Sequence, residues 1–186
     1  MVQKIDQDTL YVGGDDSNHA GNSKCEIIVA TFSRFCEDGT VRDFSNTRNY
    51  SNLSSWVNSK FRDYRFGLLV REEYRHSNLN LIAIIPDMIK KFLDEEELKI
   101  KNLKIYLDGR CGKETEEIKD KLCGFHGIEK VAVKGFIKKQ KNEKGNISKH
   151  PRCPIVTYYA DLLAHDLFTT KTFEELVNHE KLVLVK

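Results

Sequence analysis

Four aspartates have the types and spacing to do chemistry together. Asp15 and Asp16 follow an early apolar run, Asp108 closes a later one, and Asp161 falls in a late apolar segment. Lying roughly ninety and fifty residues apart, they act on one substrate only if the fold gathers them. Gathered carboxylates repel one another, so such a site needs protons or divalent cations to neutralise it. The chemistry this favours is metal-dependent phosphoryl transfer, with Mg²⁺ or Mn²⁺ expected because both prefer carboxylate oxygen. Two ions about 3.5–4 Å apart would divide the work, one activating water for in-line attack and the other stabilising the leaving oxygen. Asp15 is the expected bridging ligand, with Asp108 and Asp161 completing the set. Asp16 fits less easily, because neighbours on a strand point to opposite faces unless the chain turns between them.

Each acid alone has an ordinary explanation. Asp15-Asp16 and Asp108-Gly109 both match turn chemistry, and Asp161 alone reads as an exposed helical residue. Asp161, however, lies beside Leu162 and Leu163, and His165 falls one turn later on the same face. His165 is a candidate to relay protons or position a phosphate, against the structural alternative of a histidine bonded to an acid one turn away. Glu72 and Glu73 are possible outer ligands without motif support. The run Gly109 to Thr115 lacks the first glycine and the hydroxyl residue after Lys113 that a phosphate-binding loop requires. Cys111 has no accompanying signature of thiol catalysis, and His150 with Cys153 is too small a set for zinc.

Charge is unevenly spread. Thirty basic and twenty-eight acidic residues give a net charge of only +2. Yet Lys134, Lys138, Lys139, Lys141, Lys144, Lys149 and Arg152 stand against the single acid Glu143. A basic loop at about 136–152 beside an acidic site is suited to hold a polyanion while metals screen the carboxylates. Lys134, Lys138, Lys139, Lys141, Lys149 and Arg152 are therefore candidate nucleic-acid contacts, the alternative being a solvated loop. Tyr158 and Tyr159 are candidates for stacking on bases, against a packing role at the start of an apolar helix.

The elements that must position these residues follow from periodicity and punctuation. Thr9 to Gly14 and Cys25 to Phe35 read as strands, with Asp15 to Gly21 as the turn of a hairpin. Asp38-Gly39 is a turn, Thr40 to Asp43 the start of a third strand, and Leu53 to Tyr64 a helix opened by two serines. Phe66 to Arg71 is a further strand. In Asn80 to Lys99 the apolar positions Ile82, Ile85, Ile89, Phe92 and Leu93 recur at helical spacing, with Pro86 as an internal kink or a first-turn residue. Leu103 to Leu107, Glu114 to Cys123 and Lys130 to Val133 alternate strand, helix, strand. Pro154 to Phe168 is a helix, and Leu182 to Val185 can add a small strand.

This order of hairpin, strand, helix, strand, helix, strand, helix resembles the ribonuclease H-like superfamily. Type 2 ribonucleases H carry an Asp-Glu pair after the first strand, an Asp-Gly after a central strand and a late helix beside the site. Asp15-Asp16, Asp108-Gly109 and the segment around Asp161 are similar in order and type. A second set of small, largely uncharacterised ribonuclease H-like proteins has an aromatic residue before Asp-Glu-Ser and a late helical Ala-Asp-Leu, which Tyr11 to Ser17 and Ala160-Asp161-Leu162 resemble. Asp16 stands where both usually have Glu. The Lys-Gly-Asp-like segment of type 2 enzymes falls near Ser148 to His150, which contains no acid. The resemblance therefore points to a divergent member, with Asp161 supplying the last ligand.

The resemblance implies an α/β ribonuclease H-like mixed sheet flanked by helices, as a single domain over residues 1–186. It also implies a metal-dependent nuclease acting on RNA, DNA or their hybrid. The alternatives are a nucleic-acid or protein-binding module that keeps the fold without catalysis, and a hydrolase of small phosphate esters. Composition agrees with a globular chain of 186 residues, 40% apolar and 31% charged. The longest apolar stretch, Leu79 to Met88, is broken by Asn80, Pro86 and Asp87 and falls short of a membrane span. The polar opening and five cysteines without a CxxC pair point to reduced thiols and a cytoplasmic setting.

Overall fold

Among the described residues the chain builds a six-stranded sheet around its first hairpin. In the computed structural model, which describes residues 4–19, 22–43, 65–71, 79–108, 112, 114–136, 139–141, 147–149, 152–170 and 182–184, strands β1 (Thr9–His19) and β2 (Asn22–Ser33) pair antiparallel. β1 runs well beyond its apolar run, whereas β2 begins three residues before Cys25 and ends at Ser33, short of the expected Phe35. The Asp15 to His19 segment, expected as a turn, is instead strand, with Asp15 opposite Val29 and Asp16 opposite Ile28. Ladder bonding to the β-branched run Ile27-Ile28-Val29 overrides the local turn preference of Gly, Asp, Ser and Asn.

β4 (Arg65–Arg71) adds antiparallel to β2, and the short β10 (Leu182–Leu184) adds parallel to β4 at the edge. On the other side β5 (Asn102–Asp108) lies parallel to β1, and β6 (Lys130–Phe136) parallel to β5. The order β10-β4-β2-β1-β5-β6 is a mixed sheet, antiparallel in one half and parallel in the other. With helices on its faces, this is the mixed α/β sheet flanked by helices expected from the order of elements.

Helix α1 (Leu79–Glu95) covers one face together with α2 (Glu114–Leu122). Ile85, Met88, Ile89, Phe92 and Leu93 of α1 and Ile118 and Leu122 of α2 are buried in one cluster. Leu10, Val12, Ile28, Ala30, Phe32, Leu69, Leu103, Ile105 and Leu107 of the sheet join it, with Ile100 and Ile128 beside them. Pro86 lies inside α1. An internal proline costs about 3 kcal/mol, whereas each fully buried large apolar side chain contributes about 1.5–3 kcal/mol. Burial of the five α1 residues therefore keeps the helix running through it.

Helix α3 (Ile155–Thr170) covers the opposite face, packed chiefly on β1 and β2. The third strand expected from Thr40 to Asp43 is β3 (Val41–Asp43), paired outside the main sheet with β9 (Arg152–Pro154) just ahead of α3. The Asp38-Gly39 turn is the end of a 3-10 helix, Cys36–Gly39. The basic loop contains a small hairpin of β7 (Lys139–Lys141) and β8 (Ile147–Lys149). The helix expected over Leu53 to Tyr64 lies outside the described residues. Among the described residues no helix is long and apolar enough to cross a membrane.

Candidate metal centre

Two consecutive glycines show which way the acids of β1 face. A Cβ on Gly13 would stand 2.1 Å from the carbonyl carbon and oxygen of Val156, so Gly13 lies directly beneath the first turn of α3. A Cβ on Gly14 would meet Leu107 at 2.6 Å and Ile85 at 3.1 Å, on the α1 face. Successive strand residues alternate faces. Asp15 therefore shares the α3 face with Gly13. Asp16, level with the core residue Ile28, turns to the α1 face.

β5 alternates in the same way. Leu103, Ile105 and Leu107 are buried in the core under α1 and α2, which sends Tyr106 and Asp108 to the α3 face. The parallel ladder sets Gly14 beside Leu107. Asp15 and Asp108 each follow that last parallel pair by one residue, on strands spaced about 4.8 Å apart. The structure thus brings these two expected ligands to neighbouring positions on one face and places Asp16 on the other. Asp15 is buried at 2% exposure, and its Oδ1 accepts the Asp16 N–H at 2.9 Å. Asp108 is partly buried.

Asp161 lies on α3, partly buried, one turn after Thr157. Thr157 is fully buried, and its Oγ1 donates to the Tyr106 carbonyl oxygen at 2.9 Å, two residues before Asp108. His165 belongs to the same helix; its side chain lies outside the described set. As the side chains stand, no three His, Cys, Asp or Glu residues among those described are close enough to hold one ion. The donor chemistry of Asp15, Asp108 and Asp161, hard carboxylate oxygen throughout, nonetheless suits Mg²⁺ or Mn²⁺ rather than a thiolate-seeking metal.

Of the expected basic contacts, Lys134 is exposed on β6. Lys139 and Lys141 lie on β7, Lys149 on β8 and Arg152 on β9, while Lys138 lies outside the described residues. Phe136, the last residue of β6, pairs with Asp108, so the chain enters the basic hairpin from the acid-bearing end of the sheet. Tyr158 is buried, which makes it a packing residue, and Tyr159 is partly buried.

A second polar group sits on the α3 face at the opposite end of β1. Asp38, fully buried, accepts the Ser33 hydroxyl, and the same hydroxyl accepts the Phe35 N–H at 3.1 Å. Tyr11 lies close by, its phenol pushed up to about 12 mainly by burial and then by Asp6, Cys36, Tyr106 and Asp38. Burial also raises Tyr106.

Gly13 and Thr157 were not among the residues that sequence pattern singled out. A Gly-Gly pair after an apolar run reads as punctuation, and a threonine in the first turn of a helix reads as a helix start. Their partners are distant in sequence, so no local pattern signals either contact.

No family model matches the chain, and no curated protein matches it. Solved structures show slight likeness, among them the following. The structure of the PCNA:RNase HII complex from Archaeoglobus fulgidus aligns at 12% identity and TM-score 0.47, over 90% of this chain and 75% of that one. The C-terminal lobe of a budding yeast Argonaute aligns at 13% identity and TM-score 0.37, over 76% of this chain and 29% of that one. Kluyveromyces polysporus Argonaute with a guide RNA aligns at 13% identity and TM-score 0.35, over 76% of this chain and 17% of that one.

Proposed function

We propose that this chain is a divalent-metal-dependent nuclease that hydrolyses phosphodiester bonds in RNA, DNA or their hybrid. The observation that carries this reading is that Asp15 and Asp108 share one face of adjacent parallel strands, each one residue past their last pair, on the face covered by the helix that bears Asp161. Two residues of strand rise about 6.6 Å and four of helix about 6 Å. A helix running in the direction of β5 from the Thr157–Tyr106 contact would carry Asp161 as far beyond Thr157 as Asp108 lies beyond Tyr106. Asp15, Asp108 and Asp161 are the residues to hold Mg²⁺ or Mn²⁺, which would supply an activated water and charge stabilisation at the scissile phosphate.

The chain's own contribution is placement. Asp15 and Asp108 sit on strands locked on both sides by neighbouring strands, which fixes their backbone. Burial of Asp15 lowers the local dielectric and so strengthens its attraction for a cation. The basic residues of the β7–β8 hairpin, with Lys134 and Arg152, would grip the phosphate backbone on the acid-bearing side of the sheet. His165, one turn beyond Asp161, is the candidate proton relay.

A second reading, a nucleic-acid-binding module without catalysis, is favoured by one observation. Among the described residues no three potential ligands stand together. The experiment that separates the two is cleavage of labelled hybrid, double-stranded RNA and single-stranded DNA with Mg²⁺ or Mn²⁺. Metal-dependent cutting lost in Asp108→Asn supports the nuclease. Salt-sensitive binding without cutting of any substrate, and without metal binding by calorimetry, supports the module.

A further inference from the structure

We infer that Gly13 and Thr157 are positioning residues for the acid site, holding α3 at the separation and register that Asp161 needs to share a cation with Asp15 and Asp108. The inference rests on the metal-dependent reading above. Neither residue carries a group that would touch metal or substrate. Their contribution is to place the helix.

The two contacts act along different directions. At Gly13 the helix backbone, not a side chain, occupies the space a Cβ would take, with the Val156 carbonyl and the Thr157 nitrogen within 2.5 Å of it. Only glycine permits this approach, so Gly13 fixes how close α3 comes to β1. Closeness alone leaves the helix free to slide. The Thr157 hydroxyl removes that freedom by donating at 2.9 Å to the Tyr106 carbonyl on β5, a different strand. A carbonyl oxygen has two lone pairs, so it can accept this bond in addition to a ladder bond. The pinned position lies two residues before Asp108 on the strand and four before Asp161 on the helix, so a shift of α3 changes their separation directly.

The neighbouring strand supplies an internal control. Thr31 on β2 stands level with Gly13, is fully buried, and its hydroxyl has no hydrogen-bond partner among the described residues. Replacing either threonine by valine removes one hydroxyl from a buried site on this face. Only at Thr157 does the change break a link between α3 and β5.

The test measures Mn²⁺ affinity by water-proton relaxation, alongside melting temperature without metal, for wild type, Thr157→Val, Thr157→Ser and Thr31→Val. Losing one hydrogen bond in register control should weaken Mn²⁺ binding roughly three- to tenfold in Thr157→Val. Thr157→Ser should restore it, and Thr31→Val should leave it unchanged. Gly13→Ala should weaken binding further where it folds. Wild-type Mn²⁺ affinity in Thr157→Val overturns the inference even if its melting point falls, because that outcome marks Thr157 as structural only. Equal losses in Thr157→Val and Thr31→Val overturn it as well. If the wild type neither binds Mn²⁺ nor cleaves polynucleotides, the reading of the site itself fails and this inference falls with it.

Discussion

Asp15 and Asp108 each stand one residue past the last parallel pair of β1 and β5, Gly14 beside Leu107, although ninety-odd residues separate them in sequence. Two carboxylates at that spacing repel in the absence of a cation. Replacing either with its neutral isostere should therefore leave folding intact while removing a ligand. We expect Asp15→Asn and Asp108→Asn each to lower metal-dependent cleavage by about two to three orders of magnitude or more. Metal-free melting temperature should be unchanged or slightly raised. Full cleavage by both variants would eliminate the site.

The adjacent glycines should differ sharply in their tolerance of a methyl group. At Gly13 the added Cβ meets helix backbone at 2.1 Å, and neither β1 nor α3 can yield without moving as a whole. At Gly14 it meets the tips of Leu107 and Ile85, which can change rotamer. Overpacking of that kind costs about 1–3 kcal/mol. Gly14→Ala should fall within this range by urea denaturation and Gly13→Ala beyond it. The reverse order would mean that α3 does not rest on Gly13.

Much of this arrangement was legible in the chain because its apolar periods are strong. The alternation Leu103, Ile105, Leu107 and the helical spacing of Ile85, Ile89, Phe92 and Leu93 marked β5 and α1 within a few residues of their ends. The Asp15 to His19 segment was not legible, since its residues favour turns locally and become strand only by pairing with β2. For the same reason the facing of Asp16 depended on whether the strand continued. Val41 to Asp43 has strand character, but its partner β9 lies more than a hundred residues on, and nothing local names that partner.

Tyr11 offers a check on burial of the polar group beneath α3. Its phenol ionises at about 12 in the folded chain, against an ordinary value near 10 in the unfolded one. Between those values the unfolded state binds fewer protons, so stability falls as pH rises through the window from 10 to 12 and is fully present below it. Absorbance at 295 nm should show a fraction of the tyrosine titrating late, and Tyr11→Phe should remove part of it. Normal titration of all tyrosines near 10 would mean that Tyr11 is exposed.

The basic hairpin bears on the polyanion directly. Each lysine that neutralises a phosphate steepens the dependence of log affinity on log salt by about one unit. Lys139 and Lys141 lie on β7, three and five residues after Phe136, which pairs with Asp108. If this strand tracks the backbone of a bound nucleic acid, Lys139→Gln with Lys141→Gln should reduce the salt slope by up to about two units. The loss should be similar for every sequence tested, because phosphate contacts carry no base information. Filter-binding titrations from low to moderate salt give the slope. An unchanged slope would detach the hairpin from the nucleic acid and leave Lys134 on β6 and Arg152 on β9 as the basic candidates outside it among the described residues.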